Sequence, residues 1–323
     1  MIELGYALSS EEHAPQTLIE NARRAEQAGF AFASISDHFH PWIPAQGHSP
    51  FVWSILGGIS QATERIRVFT NVTCPIIRIH PAIIAQAAAT TASLFRGRFM
   101  LGLGTGENLN EHVTGEAWPP YGIRAEMFEE AVEIIRMLWQ GGNQSYYGAY
   151  YDVVNAEIYT LPDQLPPILI AAAGPESAEM AGQIGDGLIN TKPDKEVVDT
   201  FNANGNANRP KYGQVTFCWG KDEKSAAKTA LEWWPTAALK GPLNTELPLP
   251  QHFEESAQDV TEEDMMKAMV CGNDPKRFIE AIQEYVDAGF DHVYAHQIGP
   301  DQAGFIDFFA KNVMPEFQPE KAR

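Results

Sequence analysis

Seven consecutive residues, Ser36-Asp37-His38-Phe39-His40-Pro41-Trp42, set a carboxylate, two imidazoles and an indole side by side. Packing alone has little use for that combination, but proton transfer does. Imidazole titrates near neutrality, so His38 can move a proton or stabilise a developing alkoxide. The alternative is a polar loop that happens to contain histidines. His38 and His40 also have the His-x-His spacing of a two-ligand metal site, which needs further His, Asp or Glu ligands from other strand ends. Two such ends read Ala171-Ala172-Ala173-Gly174-Pro175 and Asn190-Thr191-Lys192, without histidine, so no metal is expected.

A second run, Gly102-Leu103-Gly104-Thr105-Gly106-Glu107-Asn108-Leu109-Asn110, is rich in glycine. A Rossmann phosphate loop belongs after the first strand of its unit, with a helix opening directly behind it. This run follows a fourth strand, and no helix is predicted directly behind it. The better reading is a close backbone approach to a flat ligand, with Glu107 delivered into the pocket. A carboxylate opposite a histidine is the pairing that acid–base chemistry uses. A third run, Ala172-Ala173-Gly174-Pro175-Glu176-Ser177, precedes a helical pattern. Its backbone amides could hold a phosphate, and an ordinary turn with proline at the first helical position fits equally well.

The elements that must position these runs alternate along the chain. Strands are predicted at Ile2–Leu8, Phe30–Ser36, Ile66–Val72, Arg98–Gly102, Pro167–Ala171, Gly187–Asn190, Val215–Trp219 and Asp291–Ala295. Helical patterns separate them, including Pro15–Ala28, Phe51–Ala62, Pro81–Leu94 and Arg124–Gln140, and Gly304–Val313 closes the chain. Tyr146, Tyr147, Tyr150 and Tyr151 surround Gly148 in a stretch that reads as an inserted hairpin. The segments Glu26-Gln27-Ala28-Gly29-Phe30 and Val286-Asp287-Ala288-Gly289-Phe290 repeat one helix-end, glycine, strand-start order. Eight such units in 323 residues favour an α/β fold of the (β/α)8 TIM barrel type over an open sheet. In that fold the polar runs fall at the C-terminal ends of strands, where barrels keep their chemistry. Residues 235–261, rich in Pro, Leu and acidic side chains, are expected as an insertion over that mouth within one barrel domain.

Composition narrows the partners. With 42 acidic against 23 basic residues, the net charge of −19 repels phosphate backbones and anionic lipid, so neither nucleic acid nor membrane is expected. Three scattered cysteines without a CxxC pair, and a start lacking a basic and apolar leader, fit a cytoplasmic protein.

The three polar runs together resemble the deazaflavin-dependent glucose-6-phosphate dehydrogenases of the bacterial-luciferase-like superfamily. The likeness extends over Pro81–Ala87 and Ala181–Gly187 as well. It implies a homodimeric oxidoreductase on a (β/α)8 barrel, using coenzyme F420 for two-electron hydride transfer at the deazaflavin C5. Carried over by position, it implies that Asp37, Cys74, Thr105, Gly106, Asn110, Ala173, Gly174, Glu176 and Ser177 contact the coenzyme. A non-proline cis peptide at Asn71–Val72 would back the ring. His38 and Glu107 would be the proton-handling pair, Trp42 would pack near substrate and ring, and Thr191 would meet the substrate.

The chain also departs from that family. Cys74 replaces a usual threonine. Asp194, Glu255 and Ala268 align with the two lysines and the arginine that hold the phosphate of glucose 6-phosphate. The expected substrate is therefore an alcohol or a sugar without phosphate. Three alternatives remain: a sugar-phosphate dehydrogenase whose Lys192, Lys195 or Lys267 rebuilds the anion site, a flavin mononucleotide-dependent monooxygenase, and a flavin-binding protein without catalysis.

Overall fold

The computed structural model describes residues 2–239, 241 and 243–317. Among the described residues the chain forms eleven strands, most of them short apolar runs: β1 (Glu3–Leu8), β2 (Phe32–Ile35), β3 (Arg67–Thr70), β4 (Phe99–Leu103), β5 (Gln144–Tyr147), β6 (Asp152–Ala156), β7 (Ile168–Ala171), β8 (Gly187–Asn190), β9 (Lys211–Trp219), β10 (Val270–Gly272) and β11 (His292–Gln297). Eight of them pair in parallel around a ring in the order β1, β2, β3, β4, β7, β8, β9, β11, and β11 returns to β1. This is the expected (β/α)8 barrel. β10 adds to β9 on the side, while β5 and β6 form the antiparallel hairpin read from the tyrosine-rich stretch.

The barrel interior is filled, not hollow. Ala7, Phe32, Phe69, Met100, Leu169, Ile189, Tyr212 and Tyr294, one from each ring strand, pack as one cluster. Phe32 meets Tyr212 edge to face at 5.2 Å between centroids, and Phe69 meets Tyr294 likewise at 5.5 Å. The space for Phe32 comes from its register partner Gly5, where any Cβ would collide with the phenyl ring. A larger cluster joins the outer strand faces to the surrounding helices.

The repeated helix ends are the same turn twice. Helices Pro15–Ala28 and Pro275–Ala288 stop at Gly29 (φ 97°) and Gly289 (φ 103°), in the left-handed region that favours glycine. In each, the following phenylalanine donates its amide to a carbonyl five residues back, at 3.1 Å for Phe30 and 3.0 Å for Phe290. Each turn then feeds directly into a ring strand.

Most boundaries shift by a residue or a few, and three differences bear on the site. β9 starts at Lys211, four residues early, because a pairing partner on each side holds the glycine- and glutamine-bearing stretch extended. β11 runs on to Gln297, two residues late. A one-turn helix, Asn108–Glu111, does open behind the glycine-rich run, with Glu107 as its N-cap. Within residues 235–261 the chain forms short helical pieces at Pro235–Ala238, Leu243–Glu246 and Pro250–Ser256, and residues 240 and 242 lie outside the described residues. Among the described residues, no helix is long and apolar enough to cross a membrane.

Candidate active site

A cavity of about 840 Å³ opens at the C-terminal ends of the ring strands, within the size range of small-molecule sites. His38, reached from β2, is 8% exposed on its wall. Its Nδ1 lies 3.2 Å from the His40 carbonyl, which can only accept, so that nitrogen carries a proton. Its Nε2 faces Glu11 Oε1 at 3.4 Å. Glu11 is buried beside β2 because the register of Leu8 with Ile35 brings the end of β1 alongside. Its Oε2 accepts from Ser36 Oγ at 2.6 Å and from Ser9 Oγ at 3.2 Å. The carboxylate is thus fixed on one side, with its free oxygen aimed at the imidazole. Trp42 packs 5.1 Å from the His38 ring and is itself held edge-on by Phe253 at 5.2 Å.

The sequence reading missed Glu11 and paired His38 with Glu107 instead. Both line the cavity, but the carboxylate in ion-pair range of His38 is Glu11. The signal was present: Ser9-Ser10-Glu11-Glu12-His13 is a polar run at the end of a barrel strand, the criterion that singled out 36–42. His40 goes elsewhere, with Nδ1 2.9 Å from the Leu109 carbonyl. Among the described residues no cluster of three or more His, Cys, Asp or Glu is arranged to hold a metal.

Asn71, Val72, Thr105, Gly106, Glu107, Ala173, Gly174, Glu176, Ser177 and Thr191 all line the cavity. The Asn71–Val72 peptide is cis. Gly104 and Ala171 to Gly174 give one wall little side-chain relief, which suits a planar ring. A Cβ on Gly104 would meet Val72, and one on Gly106 (φ 76°) would collide with the Cys74 sulfur. The amides of Ala173 and Gly174 both donate to Ser177 Oγ, at 3.1 and 3.2 Å. Those two amides therefore organise the turn instead of standing free for a phosphate.

Asp37, Cys74 and Asn110, expected to contact the coenzyme, are not among the residues lining the cavity. All three are buried and committed behind the wall. Asp37 accepts from Arg78 Nη2 at 2.9 Å and from Thr73 Oγ1 at 2.7 Å. Arg78 also donates its backbone amide to Glu111 at 2.7 Å. Burial raises Glu111 to about 7 despite that guanidinium, and burial with Glu111 nearby pushes the Cys74 thiol up. Asn110 Oδ1 accepts from the amides of Phe39 at 2.9 Å and His40 at 3.2 Å, while its Nδ2 reaches Glu107 Oε2 at 3.4 Å. It joins the loop carrying His38 to the loop carrying Glu107.

The cavity carries little positive charge. Among the described residues, Arg124 is the one lysine or arginine on its wall; its Nη1 is engaged, while its buried Nε has no hydrogen-bond partner. Its guanidinium stacks 4.2 Å over Trp118, donates to the Pro119 carbonyl at 2.7 Å and lies 3.6 Å from Glu246. Lys195 pairs with Asp199 at 2.9 Å and Lys267 with Glu263 at 3.0 Å, each along its own helix, and neither they nor Lys192 line the cavity. Asp194 caps the helix Lys195–Ala203. Thr191 thus reaches the cavity wall, where among the described residues no lysine joins it.

A family model described as luciferase-like monooxygenase matches residues 1–292. The chain is 36% identical over 331 residues to an F420-dependent glucose-6-phosphate dehydrogenase of Nocardia farcinica, covering 98% of each. It is 34% identical over 334 residues to the enzyme so named from Mycobacterium avium, again covering 98% of each. Among solved structures, an F420-dependent secondary alcohol dehydrogenase in complex with an F420-acetone adduct superposes with a TM-score of 0.90 and 29% identity, covering 98% of this chain and 99% of that one.

Proposed function

This chain belongs to the luciferase-like monooxygenase family, and from that premise we propose that it is a coenzyme F420-dependent oxidoreductase acting on an uncharged hydroxyl substrate. The observation that carries the proposal is the His38–Glu11 pair on a cavity walled by glycine and alanine. The relatives named for this coenzyme, over nearly the full chain, support the same choice. Thr105, Gly106, Ala173, Gly174, Glu176 and Ser177 would hold the coenzyme, with Asn71 and Val72 behind its ring. When bound, it supplies the C5 that exchanges a hydride with the substrate carbon.

The chain's own residues handle the proton. His38 Nδ1 keeps its hydrogen on the His40 carbonyl, so Nε2 receives the proton of the substrate hydroxyl as the carbon loses hydride. Glu11 lies 3.4 Å away and stabilises the imidazolium that forms. In the reverse direction the same proton returns to the carbonyl oxygen. Glu107, braced by Asn110, is a second proton-handling group on the opposite loop. Trp42 excludes water from one side of the imidazole.

The wall, with Arg124 as its one lysine or arginine among the described residues, supports an uncharged substrate. Charge-assisted bonds to a phosphate contribute about 1.5–3 kcal/mol each, so losing three costs about a thousand-fold or more in affinity. Titrating the purified protein with F420 and with flavin mononucleotide, followed by fluorescence, tests the coenzyme; saturable binding of F420 alone is expected. Turnover followed by deazaflavin absorbance then compares neutral alcohols and free sugars with glucose 6-phosphate at two salt concentrations. The neutral compounds are expected to show the higher kcat/KM. A clear win for the phosphorylated sugar would show that Lys192, Lys195 or Lys267 has rebuilt the anion site.

A further inference from the structure

The loop after β1 carries two consecutive carboxylates, and they turn to opposite neighbours. Glu11 faces His38, which follows β2, and Glu12 faces His296, which lies on β11. In the ring β1 sits between those two strands, so one loop backs two imidazoles on either side of it. The Glu12 side chain is fully buried, with Oε1 accepting the Gly299 amide at 2.8 Å and Oε2 lying 3.7 Å from His296 Nε2. In the tautomer that carries its proton on Nε2, facing that carboxylate, Nδ1 is an acceptor.

That acceptor faces Gln214 Nε2, at a long 3.5 Å. The amide of Gln214 cannot turn freely. Asn71 Nδ2 donates to its Oε1 at 2.9 Å, and the Tyr294 hydroxyl donates to Asn71 Oδ1 at 3.0 Å. The chain of donors therefore points the NH2 of Gln214 at His296. Trp234 closes on the same imidazole edge-on at 4.7 Å. Both Gln214 and His296 reach the cavity wall, on the side where Thr191 also lies. An oriented donor stands beside an oriented acceptor, too far apart for a good mutual bond. A hydroxyl fits that pair, because it gives its proton to Nδ1 while accepting from Nε2–H. A carboxylate or phosphate oxygen would face the lone pair of Nδ1 and the charge of Glu12 behind it.

We infer that Gln214 and His296 form a second hydroxyl-binding site, and that the substrate is an uncharged compound with at least two hydroxyls, a polyol or a free sugar. One hydroxyl reacts at His38 and another is held by Gln214 and His296. The first half of that statement rests on the function proposed above; the second rests on the wall alone.

The test uses isopropanol, propylene glycol and erythritol, which share a secondary hydroxyl and differ in its neighbours. With F420-loaded protein, wild type is expected to favour the diol and tetraol over isopropanol by about tenfold in kcat/KM, the worth of one good hydrogen bond. In His296→Phe and Gln214→Leu that ratio should fall towards one, mainly through KM. Saturation-transfer NMR on coenzyme-free protein gives a readout independent of turnover: erythritol should show contact with wild type and lose it in both variants. A wild type that prefers isopropanol, or erythritol contact undiminished in both variants, would overturn the second site. No turnover of any of the three compounds, with the NMR contact intact in wild type and lost in the variants, would sink the proposed function and leave the site standing. Circular dichroism of both variants excludes misfolding as the cause.

Discussion

Around the cavity rim, the loops after β2, β4 and β7 present glycines, alanines and short polar runs that are contiguous in sequence, whereas the loop after β1 and the strands β9 and β11 present Glu11, Gln214 and His296, polar side chains far apart in the chain. The first half offers backbone and shape; Gly104 and Gly106 leave no room for a Cβ, which would strike Val72 or the Cys74 sulfur, so the chain packs closely there. The second half offers oriented hydrogen-bond partners, each fixed by a neighbour that does not itself react: Ser36 and Ser9 for Glu11, Asn71 for Gln214, Glu12 for His296. The division fits an enzyme that holds a coenzyme by surface and a substrate by polar contacts. His38 belongs to both, since its loop lies in the first half and its carboxylate partner in the second.

The sharpest way to break this division is to separate Glu11 from Glu107. His38→Ala and Glu11→Gln are each expected to lower turnover by about 10²–10⁴-fold, the usual worth of a positioned acid–base group, while F420 affinity stays within several-fold. Glu107→Gln should also lower turnover, but without the change that Glu11→Gln makes in the pH profile of kcat/KM, because Glu107 is not in ion-pair range of His38. Steady-state kinetics across pH read the difference. If Glu11→Gln turns over like wild type, the pair across β1 and β2 has no catalytic role.

The two halves also differed in how much of them could be read from the sequence. The barrel was legible because eight short runs, bounded by glycine, proline or charge, alternate with longer helical patterns, and that alternation settles what each run alone leaves ambiguous. The first half of the site was legible because its residues are neighbours in the chain: 36–42, 102–110 and 172–177 each announce themselves as a group. Gln214 and His296 were lost at strand ends. Lys211-Tyr212-Gly213-Gln214 mixes charge, glycine and amide, and becomes strand only because β8 and β11 pair with it on both sides. Propensity cannot see those partners. Asp37 and Asn110 sit in the legible runs and Cys74 outside them, and the contacts of all three lie with Arg78, Glu111 and the loop amides, which no single run announces.

The layer behind the first half gives a prediction of intermediate size. Glu111 is held at about 7 by burial, above its ordinary 4.5, so it binds its proton more tightly folded than unfolded. The stability this contributes is fully present below pH 4.5 and is lost as pH rises through 7, by up to about 3 kcal/mol. Urea unfolding of wild type and Glu111→Gln at pH 5 and pH 8 should show the variant gaining on wild type at the higher pH. A constant difference at both values would mean that Arg78 keeps Glu111 charged throughout.

The smallest effect concerns the tie between two legible loops. Asn110 Oδ1 accepts two backbone amides of the His38 loop, and its amide reaches Glu107 across the gap. Asn110→Ala removes an acceptor from two part-buried donors, which costs about 1–2 kcal/mol of stability. The His38 loop also loses its anchor, so turnover should fall by about tenfold as the imidazole spends less time in position. Asn110→Asp separates these causes. It keeps the two accepted bonds, and so most of the stability, but sets a second carboxylate against Glu107. If Asn110 acts by holding the loop, the aspartate variant recovers the denaturation midpoint and most of the turnover of wild type. If the asparagine instead touches bound coenzyme, both variants lose F420 affinity together while the midpoint of the aspartate variant stays near wild type, and Asn110 returns from the supporting layer to the cavity wall.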